Sequence, residues 1–145
     1  MSSSGHGVML VEDDEHDIFF MRRAMSMAGL EPPIFVAKNG QEAVDYLSGS
    51  GQFCNRGSFP LPSCIFLDLK LPFIHGFQVL EWIRGQQHLH DIAVVVLTSS
   101  PEERDRERAK ELGARSYMIK PPSAKLLQEL SAILPGCWVR PGAPG

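Results

Sequence analysis

Four groups of polar residues stand at the ends of apolar runs, where their side chains could do chemistry. Glu12, Asp13 and Asp14 follow Val8-Met9-Leu10-Val11, and Asp68 follows Cys64-Ile65-Phe66-Leu67. Thr98 follows Ile92-Ala93-Val94-Val95-Val96-Leu97, and Lys120-Pro121 follows Ser116-Tyr117-Met118-Ile119. Clustered carboxylates repel one another and favour a hard cation, and magnesium takes oxygen ligands of this kind. A carboxylate can also act as a nucleophile toward a phosphoryl group, giving an aspartyl phosphate. The transferring group then needs positive charge on its oxygens, which a metal and a lysine supply. A hydroxyl placed opposite can hydrogen-bond a phosphoryl oxygen and so register whether phosphate is present. The set is useful only if the chain brings it to one place.

The elements needed for that are legible. The four apolar runs, with Ile34-Phe35-Val36-Ala37 as a fifth, are short, continuous and rich in branched residues, as strands buried on both faces are. Between them lie segments with helical spacing: Ile18, Met21, Met25 and Ala28, capped by Gly29; Ala43, Val44 and Leu47; Phe77, Leu80 and Ile83. Ala109 and Leu112 mark a fourth, ended by Gly113, and Leu126, Leu127, Leu130, Ile133 and Leu134 a fifth, stopped by Pro135-Gly136. Met21, Met25 and Met27 read as core filler. Strands alternating with helices predict an α/β domain whose five-stranded parallel sheet is doubly wound, because parallel strands need crossovers. Sites in such sheets form outside the C-terminal ends of the strands, where the carboxylates, the hydroxyl and the ammonium all fall. The fourth helix, Glu102 to Glu111, is dense in charge, with Glu102/Arg106 and Glu107/Lys110 at pairing distance. Its thin apolar stripe predicts loose docking. Residues Gly49 to Pro62, rich in glycine and proline, read as a long loop.

Composition bounds the rest. The 145 residues fit one compact domain over 8–134, with a disordered segment at 1–7 and a Pro/Gly-rich tail at 135–145. A net charge of −3 leaves no electrostatic footprint for a nucleic-acid backbone. No apolar run approaches the roughly 18–20 residues that span a bilayer, and the small polar N-terminus lacks the features of a signal peptide. Cys54, Cys64 and Cys137 make neither a disulfide framework nor a metal knuckle, so reduced thiols in a cytoplasmic protein are expected, with Cys64 in the core. His88 and His90 lack further ligands and read as part of a solvated loop.

From Val8 to about Leu134 the chain resembles the receiver domain of response regulators. The resemblance is carried by Val11-Glu12-Asp13-Asp14, by Leu67-Asp68-Leu69-Lys70-Leu71-Pro72 with Gly76 beyond it, by Val96-Leu97-Thr98-Ser99, and by Gly113-Ala114 leading to Tyr117 and Lys120-Pro121. It implies a flavodoxin-like (βα)5 fold with strand order 2-1-3-4-5. It implies that Asp68 accepts a phosphoryl group from the phosphohistidine of a sensor histidine kinase in a two-component phosphorelay. Asp13 resembles the direct Mg2+ ligand and Glu12 the acidic position acting through water, with Asp68 and the Lys70 backbone carbonyl completing the metal site. Thr98 resembles the switch hydroxyl, Tyr117 the aromatic that rotates after it, and Lys120 the lysine on the phosphoryl oxygens, with a cis bond to Pro121. The Glu-Asp-Asp run, the long loop before the third strand and Val-Val-Val-Leu-Thr-Ser-Ser are similar to single-domain regulators serving bacterial phytochromes, which implies a phytochrome-type kinase. Output would then pass through contact with a downstream protein or a histidine phosphotransfer protein, and a homodimer would use the face of the fourth helix, fifth strand and fifth helix. Three positions depart from the common pattern: Lys70, Ser100 two residues after Thr98, and Pro122. The first two flank the path of water to an aspartyl phosphate and leave its lifetime open.

Each position also has a plainer reading. Asp13 and Asp14 suit a helix N-terminus, Thr98 a cap, Asp68 a solvated turn, Lys120-Pro121 an ordinary turn and Tyr117 half-buried packing. Their joint placement at one rim favours the chemical reading. An aspartyl phosphatase or phosphotransferase would usually place its nucleophile after the first strand with a second aspartate two residues on, whereas Asp13 is followed by Asp14-Glu15. A nucleotide-binding module would show a glycine-rich or Walker run there. A receiver-like module that binds without phosphate is disfavoured by the intact Asp13, Asp68, Thr98 and Lys120.

Overall fold

Short all-apolar runs become parallel strands only where helices cover both faces of the sheet, and the core divides accordingly. In the computed structural model, which describes residues 7–134, the strands are β1 Val8–Val11, β2 Ile34–Ala37, β3 Cys64–Leu67, β4 Ala93–Thr98 and β5 Ser116–Ile119. All pairs are parallel, in the order β2-β1-β3-β4-β5. The helices are α1 Glu15–Met27, α2 Gly40–Ser48, α3 Gly76–Arg84, α4 Glu103–Glu111 and α5 Ala124–Ile133. The flavodoxin-like order expected above is the one found. The terminal segments, including Cys137, lie outside the described residues.

Side chains alternate across a strand with period two. Val8 and Leu10 of β1, Cys64 and Phe66 of β3 and Val95 of β4 therefore share one buried layer with Met21 and Met25 of α1 and Leu127 and Leu130 of α5. Met9, Val11, Ile65, Leu67, Val94 and Val96 face the other layer, with Ala43 and Leu47 of α2, Val79, Leu80 and Ile83 of α3, and Ala109 of α4. Met27 is not core: it is 68% exposed on the last turn of α1. It falls two residues after Met25, off the buried stripe that Ile18, Met21 and Met25 define. The α1 cap is Ala28, and Gly29 follows it at φ 78°, the left-handed conformation that glycine takes without steric cost.

Two further expectations need correction. The fourth strand begins at Ala93, so Ile92 lies outside it and Thr98 is its last residue rather than the residue beyond. On α4, Glu102 is ion-paired with Arg104 rather than Arg106, and among the described residues no ion pair joins Glu107 to Lys110. Arg106 instead lies over the Tyr117 ring, 4.7 Å from its centroid. A cation over an aromatic face competes well with a solvated ion pair. The thin stripe of α4 stands: Ala109 is its one buried residue.

The 49–62 loop is better organised than glycine and proline suggested. It opens with a 3-10 turn, Gly51–Phe53, and Phe53 and Phe59 pack edge-on with Phe35 and Tyr46. Arg56 holds it down: the guanidinium donates to the carbonyls of Tyr46 (2.7 Å), Leu47 (2.8 Å) and Phe59 (3.2 Å). Tyr46 and Leu47 lie in the last turn of α2, at the negative end of the helix dipole. Arg56→Ala should therefore lower stability by about 2 kcal/mol, the scale of hydrogen bonds from a charged donor. A lower urea midpoint with an unaltered slope would show it. His88 lies within a 3-10 turn, Gln87–Leu89, and His90 caps it, their Nε2 atoms on the carbonyls of Leu47 (3.3 Å) and Arg84 (3.2 Å).

Candidate functional site

Sheet register brings the polar residues together. Val11 pairs with Leu67 across β1 and β3, and the Asp68 amide donates to the Val11 carbonyl at 3.1 Å, so Glu12 and Asp68 emerge side by side. Thr98 pairs with Ile119, and the Lys120 amide donates to the Thr98 carbonyl at 2.8 Å, so Lys120 leaves the sheet just beyond Thr98. The Lys120–Pro121 peptide is cis, as the resemblance implied.

Glu12, Asp13 and Asp68 each present a carboxylate oxygen, and the three oxygens lie within 4.8 Å of one another. Glu12 is 2% exposed and Asp68 6%, while Asp13 is open to solvent. A compact set of oxygen donors with one open side fits a hard divalent cation that keeps several waters, as magnesium does. Lys120 supplies the internal counter-charge: its Nζ donates to Glu12 Oε1 (2.6 Å), Asp17 Oδ2 (2.8 Å) and Asp68 Oδ2 (3.3 Å). The other Asp68 oxygen, Oδ1, accepts from the Lys70 amide at 3.3 Å. The Lys70 side chain points into solvent.

Burial and crowding set the protonation energetics. Burial pushes the Glu12 carboxyl up to about 7, with the neighbouring Asp68 charge adding to it and the hydrogen bond and charge of Lys120 opposing it. Burial also raises the Asp68 carboxyl, against the pull of Lys120 and the Lys70 amide. Burial alone would lower Lys120, but hydrogen bonds to Asp17 and Glu12 and the Asp68 charge outweigh it and hold the ammonium firmly protonated. The rim thus carries more negative charge than one lysine can balance.

Asp14 takes the plainer role weighed for it. It caps α1, its Oδ1 accepting from the amides of His16 (2.8 Å) and Asp17 (3.2 Å). Asp17 was not anticipated from the sequence. It lies one helical turn beyond Asp13 and Asp14, on the side of α1 that meets the rim, and only that periodicity could have flagged it.

Thr98 is completely buried at the end of β4, its Oγ1 3.4 Å from the Ser100 amide. Tyr117 is half-buried, and its hydroxyl donates to the Ser100 carbonyl at 2.8 Å. Ser100 Oγ donates to Asp105 in the first turn of α4 at 2.7 Å. Ser100 therefore ties together the strand end, the aromatic and the loosely docked helix, a role that its small uncharged side chain did not advertise.

Gly76 is the remaining element of the site. A Cβ built there would overlap the Asp68 carbonyl oxygen and lie 2.6 Å from Leu69 Cα. Its amide donates to the Leu69 carbonyl at 2.9 Å. The first turn of α3 can close on the end of β3 only because no side chain intervenes.

Comparison with known proteins agrees with this arrangement. The family described as response regulator receiver domain matches residues 8–131. Response regulator Rcp1 of Synechocystis is 30% identical over 132 residues, covering 91% of this chain and 88% of that protein. The structure of bacteriophytochrome response regulator RtBRR superposes with a TM-score of 0.82 at 36% identity, covering 97% of this chain and 84% of that one. Bacteriophytochrome response regulator AtBRR gives 0.76 at 38% identity, covering 90% and 91%. With the strand order and the acidic rim already in hand, the chain belongs to the response regulator receiver domain family.

Proposed function

We propose that the protein works in a two-component phosphorelay, taking a phosphoryl group onto Asp68 from the phosphohistidine of a histidine kinase. The observation that carries this is the meeting of Glu12, Asp13 and Asp68 oxygens within 4.8 Å, with Lys120 Nζ 3.3 Å from Asp68 Oδ2. An Asp68 oxygen attacks phosphorus, the bond from phosphorus to the donor nitrogen breaks, and the electron pair leaves with the imidazole. Lys120 is placed to turn from its carboxylates to the phosphoryl oxygens as their charge arrives. Glu12, Asp13, Asp68 and the Lys70 carbonyl would hold Mg2+, which when bound neutralises charge on the phosphoryl oxygens. The likeness to the bacteriophytochrome response regulators RtBRR and AtBRR supports a phytochrome-type kinase as donor.

The readout we propose is a population shift. A phosphoryl oxygen draws Thr98 toward it, and the displacement reaches Tyr117 and α4 through Ser100. Downstream proteins, or a second copy of the chain, then read the face of α4, β5 and α5. Among the described residues no helix is long and apolar enough to cross a membrane. A relay protein of this kind works beside a kinase domain in the cytoplasm.

Intact-mass spectrometry after incubation with acetyl phosphate and Mg2+ tests the chemistry. Wild type should gain one phosphoryl group, and Asp68→Asn none. Labelling of both proteins would rule out Asp68 as the sole acceptor. Labelling of neither, when both are folded, would favour a phosphate-independent binding role or a strict need for the cognate kinase. Asp68→Asn should also unfold at a higher temperature. A carboxyl raised on folding weakens the native state at pH values above its unfolded pKa, so an uncharged amide should stabilise the fold at neutral pH.

A further inference from the structure

We infer that Phe73 is a recognition residue for the protein phosphodonor, an aromatic knob seated on the kinase surface beside the phosphohistidine. The inference rests on the function proposed above. It starts from two unfavourable features at one position.

Phe73 is 89% exposed, the most exposed large apolar side chain among the described residues. It is also the one described non-glycine residue with positive φ, at 69°. The Ile74 amide donates to the Pro72 carbonyl at 2.8 Å, which closes a γ-turn of the rarer hand around Phe73. An aromatic residue in left-handed backbone is a steric outlier, and glycine or asparagine would occupy the position at lower cost. Exposure leaves the ring with no packing to offset that cost. Strain of this kind persists at sites of recognition and catalysis, where the held conformation is itself useful.

The loop's position identifies the occupant. Its two ends are clamped together at the acceptor, since Gly76 donates to the Leu69 carbonyl and lies against the Asp68 backbone. Residues 70–75 therefore project as a closed bulge from the rim, with Phe73 near its apex and its ring in solvent. A small donor such as acetyl phosphate can reach Asp68 without touching that ring. A helix presenting a phosphohistidine must cover the rim, and its flank meets Phe73. A backbone held in one conformation by the turn presents the ring at a fixed place on the rim and loses little entropy on docking, which suits Phe73 to anchor an interface. The hollow beside it is a mixed surface, where Asn39, Gln41, Glu42, Asp45 and Gln52 stand with Phe53 and Ile74, and the ring remains in solvent rather than burying itself there.

Comparing the two donor classes tests the inference. Wild type, Phe73→Gly and Phe73→Tyr would be labelled with acetyl phosphate, and separately profiled against the purified, autophosphorylated histidine kinases of the source organism. Phe73→Gly should keep its acetyl phosphate rate within about twofold and lose about tenfold or more in kcat/KM from the kinase that labels wild type, the scale of one interface anchor. The loss should lie in KM, with kcat little altered at saturating regulator. Phe73→Tyr, which keeps the ring, should retain transfer. A urea midpoint for Phe73→Gly equal to or above that of wild type would show that the fold is intact. Unchanged transfer from the kinase to Phe73→Gly would overturn the inference, as would equal losses with both donors. Labelling of wild type by acetyl phosphate but by no kinase would overturn the kinase as occupant while leaving Asp68 as acceptor. No labelling by either donor would instead count against the proposed function.

Discussion

Lys120→Met should lower stability and slow phosphorylation while tightening the site for divalent cations. The ammonium binds three carboxylates, two of them almost wholly buried. Methionine keeps the aliphatic stem and deletes the charge, leaving Glu12, Asp68 and Asp17 to repel one another. Removing one partner of a buried charge set costs roughly 3–5 kcal/mol, and the half-open rim reduces this to about 2–3 kcal/mol at pH 8. The sign of the pH dependence follows from Glu12. Its folded carboxyl sits at about 7 against 4.5 when unperturbed, so it destabilises the native state increasingly as pH rises through that interval. Without Lys120 that interval should widen upward. The deficit should therefore be largest at pH 8 and shrink toward pH 5, as protons replace the missing ammonium. Thermal melts across that range would show it, and a deficit independent of pH would contradict the electrostatic account. Added Mg2+ should stabilise the variant more than wild type, because the competing internal cation is gone. Phosphorylation by acetyl phosphate should nonetheless fall by about 10²–10³, the usual effect of removing one preorganised charge donor. Tighter Mg2+ binding with slower chemistry is a combination that simple misfolding does not produce.

Gly76→Ala should be destabilising, although alanine is the better helix former by about 1 kcal/mol. The new methyl group would overlap the Asp68 carbonyl oxygen and press on Leu69 Cα, and backbone atoms cannot swing aside as a side-chain tip would. Overpacking costs of about 1–3 kcal/mol apply, and their upper end should outweigh the propensity gain. Valine, with its β-branch, should be worse and reach 3 kcal/mol or about that value. Because the collision is with the backbone of Asp68, the proposed acceptor, relief must come from moving Asp68 or α3. Both variants should then lose phosphorylation out of proportion to their loss of fold. Urea denaturation beside intact-mass labelling separates the two effects. A stable, normally labelled Gly76→Ala would show that α3 can withdraw without disturbing the site.

The strands, the two layers and most of the rim were legible in the order of residues along the chain. Runs such as Val8–Val11 and Cys64–Leu67 are apolar throughout because both faces of a parallel sheet are buried, and hydrophobic periodicity is local information. Asp68, Thr98 and Lys120 could be picked out because each stands where such a run stops, and in an α/β sheet the ends of the strands share one edge. Where helix faces were read from sparse apolar residues, local information was weaker, as the exposed Met27 and the misassigned partners of Glu102 and Arg106 show.

Contacts between distant side chains came from the folded arrangement alone. Asp17 joins Lys120 across 103 residues of sequence, and no spacing rule connects them. The Ser100 contacts with Tyr117 and Asp105 depend on how β5 and α4 approach the end of β4. The need for glycine at 76 comes from a backbone that returns to the acceptor strand, and Phe73 stands out only once its φ and its exposure are known. Periodicity records which side of an element is apolar. The distances that make three carboxylates and one lysine a site arise from strand register and loop closure, which couple residues far apart in the chain.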